Sequence, residues 1–409
     1  MSLTVSVAVV GGGAAGLMAA IAAAAQGASV TLLEGTDRLG TKILMSGGTR
    51  CNVTHDVVSP TDYFGGSRNV VARLLREFSH EDAARFFTSE LGVELKREDT
   101  GKLFPMTDDA QTVLDALLGR AGELGVVILT GRKVTAIAAL PDGGWALTTS
   151  AGMVEAQRVV LTTGGLSFPR TGSDGTGYAL AQSLGHSIVP TTPALTPLVA
   201  RGGMHERLRG VTLDVSLTVR VAGKKAWQGT GSFLFTHFGY SGPVVLDASR
   251  HVARAEGPVT VIASFLPDQT LESFEAQLLS ASEREARHTA LNYIRRRLPE
   301  SLALELVTRA GIPLDRTLGQ MKREERRELA RTVTECDLPV LEVMGYKKAE
   351  VTAGGVPLSE VDPRTLESRL APGVHLAGEI LDTDGRLGGY NFQWAWSSGT
   401  VAGRAVATR

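Results

Sequence analysis

Val5-Ser6-Val7-Ala8-Val9-Val10 runs into Gly11-Gly12-Gly13-Ala14-Ala15-Gly16, then Leu17-Met18-Ala19-Ala20-Ile21-Ala22-Ala23-Ala24-Ala25-Gln26-Gly27, and a second apolar run, Ser29-Val30-Thr31-Leu32-Leu33, ends at Glu34. The first run is β-rich and too apolar to face water, as a strand inside a parallel sheet is. The alanine run has the best helix-forming composition, and Gly27 stops it. The order is strand, glycine turn, helix, strand. Gly11, Gly13 and Gly16 fit G-x-G-x-x-G: the first allows the tight turn, the second lets a pyrophosphate touch the backbone, the third lets helix and strand pack closely. The helix N-terminus offers unpaired N–H groups and partial positive charge to phosphates. Glu34 follows Gly16 by 18 residues, where a carboxylate accepts ribose hydroxyls. Together these features read as a dinucleotide site.

Outward from this core, Gly35 to Asn52 is polar and glycine-punctuated, with the cations Arg38, Lys42 and Arg50. It reads as a loop forming a second wall for a large anionic ligand. Cys51 has no partner cysteine within sequence reach and reads as a packed or cofactor-adjacent thiol. Residues 67–125 carry helical apolar stripes, with a turn at Gly101-Lys102-Leu103-Phe104-Pro105. Val126–Leu129 and Val134–Ile137 read as strands. Arg158-Val159-Val160-Leu161-Thr162-Thr163-Gly164-Gly165 returns to the parallel-strand pattern and ends in glycines, where ligands bind in open α/β sheets. Val374-His375-Leu376-Ala377-Gly378-Glu379 is a second such strand. Gly388-Gly389 then opens a helix from Phe392 to Val406, another anion-receptive end.

Between these halves the character changes. Pro190, Pro193 and Pro197 mark a linker. Residues 211–221 alternate as antiparallel strands do, and 268–335 is helical and highly charged. Residues 191–345 therefore read as an insertion with a β part and a helical part. Its basic runs, Arg295-Arg296-Arg297 and Lys322-Arg323-Glu324-Glu325-Arg326-Arg327, are interleaved with acids and read as solvated helix faces rather than a nucleic-acid surface.

The 409-residue chain is long enough for two or three domains; with 43% apolar and 21% charged residues it is ordinary for a globular protein. Its net charge of −1 gives no global attraction to nucleic acid or anionic membrane. No apolar run reaches the ~18 residues a membrane helix needs. The N-terminus shows no signal-peptide pattern. Two cysteines without metal-ligand spacing fit a reducing cytoplasm and no metal site.

Three further glycine-bearing strand ends, at 40–52, 163–165 and 378–391, imply a ligand gripped along its whole length. A resident FAD needs that; a nicotinamide that leaves each turnover does not. The helix opened by Gly388-Gly389 would aim its N-terminus at the flavin edge where negative charge grows on reduction. No second G-x-G-x-x-G lies between a strand and a helix. Gly229-Thr230-Gly231 lacks the third glycine, so NAD(P)H is expected only as a transient electron donor.

At these residues, and at Ser46-Gly47-Gly48-Thr49-Arg50-Cys51-Asn52 and Thr236-His237-Phe238-Gly239-Tyr240-Ser241-Gly242-Pro243, the chain resembles the HI0933-like (YhiN-type) bacterial flavoproteins over nearly its whole length. The resemblance implies an α/β fold: a glutathione-reductase-like Rossmann FAD domain over 1–190 and 346–409, with an insertion over 191–345. The insertion would be β-barrel-like over 191–267 and 336–345 and helical over 268–335. By position, Gly11, Gly13, Ala14, Ala15, Glu34, Lys42, Arg50, Cys51, Asn52, Val134, Gly164, Gly378, Asp382, Gly389 and Asn391 would line FAD. The activity implied is that of an NAD(P)/FAD-dependent oxidoreductase, with no reaction specified. His237 and Tyr240 are the proton-handling candidates, with Arg170 and Asp174 as second choices for anchoring substrate. The expected function is hydride transfer between a small organic substrate and tightly bound FAD, with NAD(P)H or oxygen as the other partner. The alternatives are a flavoprotein acting on RNA and a non-catalytic flavin-binding protein.

Overall fold

The computed structural model describes residues 3–408; Met1, Ser2 and Arg409, at the ends of the expected FAD domain, lie outside them. The chain divides into two compact units, one running to Thr192 and resuming at Glu350, the other spanning Pro193–Ala349.

The first unit is built on a seven-stranded sheet. Leu3–Val10 lies between Val30–Leu33 and Gly152–Leu161, parallel to both. Val127–Leu129 and Val374–Leu376 extend the parallel part at its two sides. The long strand Gly152–Leu161 changes partner along its length. Its first half pairs antiparallel with Trp145–Thr149, and its last three residues pair with Val374–Leu376. All parallel strands end on one side, so the turns after Val10, Leu33, Leu161 and Leu376 share one edge, the ligand edge of such sheets. The strand Val30–Leu33 is buried at every position, which requires cover on both faces.

The first helix, Ala14–Ala25, and the terminal helix, Tyr390–Ala407, pack face to face. Small residues make the approach close. A Cβ on Gly399 would lie 2.6 Å from the Ala15 carbonyl oxygen, and one on Gly403 would overlap that of Ala19. Both matches advance four residues, so the helices run parallel.

Two local expectations are corrected. Residues 40–52 are not a loop: Thr41–Thr49 is helical at first and breaks at Ser46, Gly47 and Gly48. Thr49 and Cys51 also hold left-handed φ of 70° and 59°, costly for residues bearing a Cβ. Gly101–Pro105 is not simply a turn. Lys102–Pro105 is the central strand of a small sheet with Thr54–His55 and Leu95–Arg97, which buries Phe104.

The second unit is a seven-stranded sheet whose edge strands are Cys336–Leu338 and Val340–Val343. Only Pro339 separates them. Two edges joined by one residue must come together, so the sheet curls into a barrel-like form. The helices Leu271–Arg284, Ala290–Arg295, Glu300–Arg309 and Arg323–Thr334 share one hydrophobic core with it, Phe274, Leu302 and Leu329 clustering with Val215, Phe233 and Phe265.

Candidate functional site

The glycine turn behaves as three different devices. Gly11 has φ 104°, donates its N–H to the Leu33 carbonyl at 2.8 Å, and would place a Cβ 2.6 Å from the Thr162 carbonyl oxygen. Gly16 would drive a Cβ into the Gly11 carbonyl oxygen. Gly13 differs: a Cβ there meets nothing within 4 Å. Gly13 precedes the first helix, and no side chain caps that helix. The first-turn amides, those of Ala14 and Ala15 included, thus open onto a cradle cleared of protein.

Glu34 is buried beside this turn, 8% exposed. Its Oε2 accepts from the Gly12 N–H at 2.7 Å. Its Oε1 accepts from the Thr36 N–H at 2.7 Å and the Thr36 hydroxyl at 2.9 Å. A carboxylate has about four acceptor positions, so these bonds fix its orientation and leave Oε2 capacity for a ribose hydroxyl. The Glu34 carbonyl accepts from Arg132 N–H at 2.7 Å, and Gly35 packs on Lys133, which brings Val134 close to the acid.

A second helix N-terminus serves the same edge. Gly388 and Gly389 have φ of 128° and 94° and lead into the terminal helix, again with no side-chain cap. A Cβ on Gly389 would lie 2.7 Å from the Thr54 backbone and 2.9 Å from Asn52 Oδ1. Asn52 is 8% exposed, and its Oδ1 has no hydrogen-bond partner. An orphaned buried amide oxygen costs about 1–3 kcal/mol, a cost that a ligand's N–H removes. Trp396 Nε1 donates to the Val53 carbonyl at 2.8 Å, and Thr54 Oγ1 to Gln393 Oε1 at 2.7 Å, locking this segment to the helix. Asn391 is already engaged: its Oδ1 accepts from Gly385 N–H at 2.8 Å and its Nδ2 donates to the Gly385 carbonyl at 2.9 Å. These two bonds hold the turn closed. Asp382 is buried next to this turn, its carbonyl accepting from Gly66 N–H at 2.8 Å.

The two N-termini are staggered. Gly389 precedes the shared crossing at Gly399 by ten residues, and Gly13 precedes its match, Ala15, by two. At 1.5 Å per residue the offset is about 12 Å. Gly378 lies along this track. A Cβ on it would meet Ala15 Cβ at 2.7 Å, its N–H donates to Ser398 Oγ at 2.9 Å, and its carbonyl accepts from Trp394 Nε1 at 3.1 Å. Gly164 has φ 73° and sits against Ser173.

The three cations of the second wall have separate fates. Lys42 Nζ bonds Glu379 Oε2 and Ser167 Oγ, both at 2.6 Å. Arg50 pairs with Glu98 at 2.7 Å and stacks 4.1 Å over Phe104; the hydrogen bond to Glu98 raises its pKa. Arg38 is exposed. Cys51 is fully buried, and burial pushes its thiol up to about 12, so no thiolate forms near neutrality.

In the second unit, Tyr240 corrects an expectation. It is fully buried among Phe233, Phe235 and His205, and burial pushes its hydroxyl well above the usual range. It is a core side chain, closed to substrate. His237 is exposed in the bend between Lys224–Phe235 and Gly239–Ser241, a bend closed by Thr236 N–H on the Gly239 carbonyl at 2.9 Å. Gly229-Thr230-Gly231 lies inside the strand Lys224–Phe235, so it forms no nucleotide turn. Arg170 is exposed, and Asp174 is bonded to Lys133 and Thr176.

Sequence reasoning missed Glu379, Ser167 and Thr352 as site residues. The signal for the first was present: an acid directly after a short buried strand at the ligand edge.

The fold and this edge define a Rossmann-type oxidoreductase of the flavoprotein class. The HI0933-like protein Rossmann domain matches residues 5–405, and the chain belongs to that family. It is 34% identical over 406 residues to a 3-dehydro-bile acid delta(4,6)-reductase of Clostridium scindens, covering 98% of each chain. It is 33% identical over 390 residues to a ribosomal RNA dihydrouridine synthase of Escherichia coli, covering 95% of each. Among solved structures, a 3-ketosteroid-delta4-(5alpha)-dehydrogenase from Rhodococcus jostii matches with TM-score 0.51 at 16% identity, over 100% of this chain and 97% of that one, a likeness of fold. Among the described residues no helix is long and apolar enough to cross a membrane.

Proposed function

We propose that the chain holds FAD along the track between the two helix N-termini and reduces a carbon–carbon double bond conjugated to a carbonyl in a small organic substrate, with NAD(P)H as transient donor. The observation that carries the binding half is the pairing of a cleared cradle at Gly13 with a staggered second N-terminus, where Asn52 Oδ1 is orphaned. The amides after Gly13 would hold the pyrophosphate, Glu34 the ribose, and the Asn52–Gly389 end the flavin ring. Bound FAD supplies the hydride chemistry. The chain orients the substrate, excludes water and delivers one proton.

The double-bond reading rests on what the relatives share. One relative's name describes a reductase of a 3-dehydro bile acid unsaturated at positions 4 and 6, the other's the formation of dihydrouridine; a 3-oxo-4,6-diene and a uridine both present an alkene conjugated to a carbonyl. The two electrons enter as hydride at the β-carbon and the proton adds at the α-carbon.

RNA is the second reading, favoured by the E. coli relative and by a Haemophilus influenzae protein of the same description, 30% identical over 98% of each chain. Charge argues for the small molecule. The net charge is −1, and within the basic runs of the second unit Arg295 pairs with Glu300, Arg296 with Glu285 and Arg327 with Glu275. The deciding experiment reduces the purified flavoprotein anaerobically with NADH or NADPH and mixes it with a 3-oxo-4-ene steroid or with unmodified ribosomal RNA. Flavin reoxidation by the enone supports the proposal. Reoxidation by RNA alone, weakening steeply with salt, replaces it with the second reading. Reoxidation by neither removes the double-bond assignment.

A further inference from the structure

Three chain segments converge on Glu379. Its Oε2 accepts from Lys42 Nζ at 2.6 Å, and its Oε1 accepts from Ser167 Oγ at 2.8 Å and Thr352 N–H at 2.9 Å. Ser167 Oγ takes a second Lys42 proton at 2.6 Å. Ser167 and Thr352 are fully buried, and Thr352 Oγ1 accepts from the Leu166 and Ser167 amides at 2.8 and 3.1 Å. The base of this cluster is therefore rigid. Gly165 has no side chain because a Cβ there would lie 2.5 Å from Thr352 Oγ1 and 2.9 Å from Glu379 Oε1.

Lys42 is the open end of the cluster. An ammonium has three donors, and two are used. Its side chain is 25% exposed, against 15% for Glu379. The preceding residue, Gly378, touches Ala15 on the first helix and Trp394 on the terminal helix, which places the cluster beside the track between the two N-termini. A half-open cation held at two points, with one donor spare, is more than a tie between segments.

We propose that Glu379, braced by Ser167 and Thr352, is a positioning residue that fixes the Lys42 ammonium beside the cofactor track, where its charge favours the reduced, more negative cofactor. This rests on the reading that FAD occupies the track. A cation held still by its partners stabilises developing charge without reorganising. Lysine suits the task as a compact charge.

The test uses holoprotein with FAD in excess and reads three quantities: FAD bound, unfolding midpoint and two-electron midpoint potential. Lys42→Met is expected to stay folded and flavin-loaded, while the preference for reduced over oxidised cofactor falls about tenfold, a potential lower by about 30 mV. Lys42→Arg keeps most of the potential. Glu379→Asp, which keeps the charge but draws the anchor back, lowers it by part of that amount. A wild-type potential in Lys42→Met with only the unfolding midpoint altered overturns the proposal and leaves the flavin reading standing. Wild-type protein that binds no FAD overturns both.

Discussion

Two carboxylates of the first unit, Glu379 and Glu360, sit in networks made from the same parts. Each accepts from a serine and pairs with a basic side chain: Glu379 with Lys42 at 2.6 Å, Glu360 with His186 Nδ1 at 2.8 Å. The second network continues from His186 Nε2 to Ser368 Oγ at 2.8 Å, so serine, imidazole and carboxylate stand in the order of a hydrolase triad. Distances do not separate the two. Access does: the His186 side chain is fully buried, and Ser368 Oγ already accepts from the Leu370 and Ala371 amides at 3.1 and 2.8 Å. That hydroxyl has neither room nor spare lone pairs to attack a substrate. It holds the Ser368–Ala371 turn against the helix end at His186. Lys42 has both exposure and a free donor. Hydrogen-bond geometry builds a staple or a site according to what is left unspent.

The largest effect is expected where the sealed network is cut. His186→Ala removes two buried hydrogen bonds and opens a cavity, which costs about 4 kcal/mol. Denaturant unfolding should show that loss, with the flavin potential of the surviving folded protein unchanged. A shifted potential at full stability would dissolve the distinction between the two networks.

Acid should attack the same sealed region. Burial takes the His375 imidazole down to about 4, and His375 bridges Glu367, next to Ser368. Its folded pKa lies below the unfolded value of about 6.5. The folded protein therefore binds fewer protons between these values, and stability is full above pH 6.5. It falls by about 1.4 kcal/mol per unit toward pH 4, roughly 3 kcal/mol in all. Glu360 acts in the same direction. Burial would raise its pKa, but bonds from Ser187 and His186 outweigh burial and lower it, so its stabilisation is also lost in acid. Unfolding free energies measured from pH 8 to 4 check this, and His375→Gln should flatten much of the slope.

The smallest stability effect belongs to the open network. Lys42→Met should cost under about 1 kcal/mol, because the ion pair is partly solvated. Its consequence appears in the cofactor potential instead.

How far these differences could be read from sequence follows from what each depends on. The glycine turn was legible because Gly11 and Gly16 answer close local contacts and Gly13 keeps the cradle clear, all within six residues, and Gly388-Gly389 answer a local backbone need of their own. The Thr41–Thr49 helix was hidden because its second half is a run of left-handed residues, which polar, glycine-rich composition does not distinguish from a loop. Glu379 lies 337 positions from Lys42, and His186 lies 182 from Ser368, so neither pairing leaves a spacing to find. Tyr240 looked reactive in a glycine-punctuated segment, yet its ring packs against Phe233 and Phe235 of the neighbouring strand and against His205, a burial that only the folded chain assembles. The Pro339 junction that curls this sheet is likewise invisible until the strand order is known.

The most direct measurement is FAD binding by wild type and by Gly13→Leu, read as flavin absorbance retained per folded chain. Gly13 has ordinary extended backbone, φ −80° and ψ −170°, and open space where its Cβ would be, so the leucine folds without strain and intrudes only on the ligand. The expected result is a yellow wild-type protein with about one FAD per chain and a colourless variant of similar unfolding midpoint. A wild type that takes up no FAD, or a variant that binds it as tightly, would contradict the placement of the cofactor at the helix N-terminus.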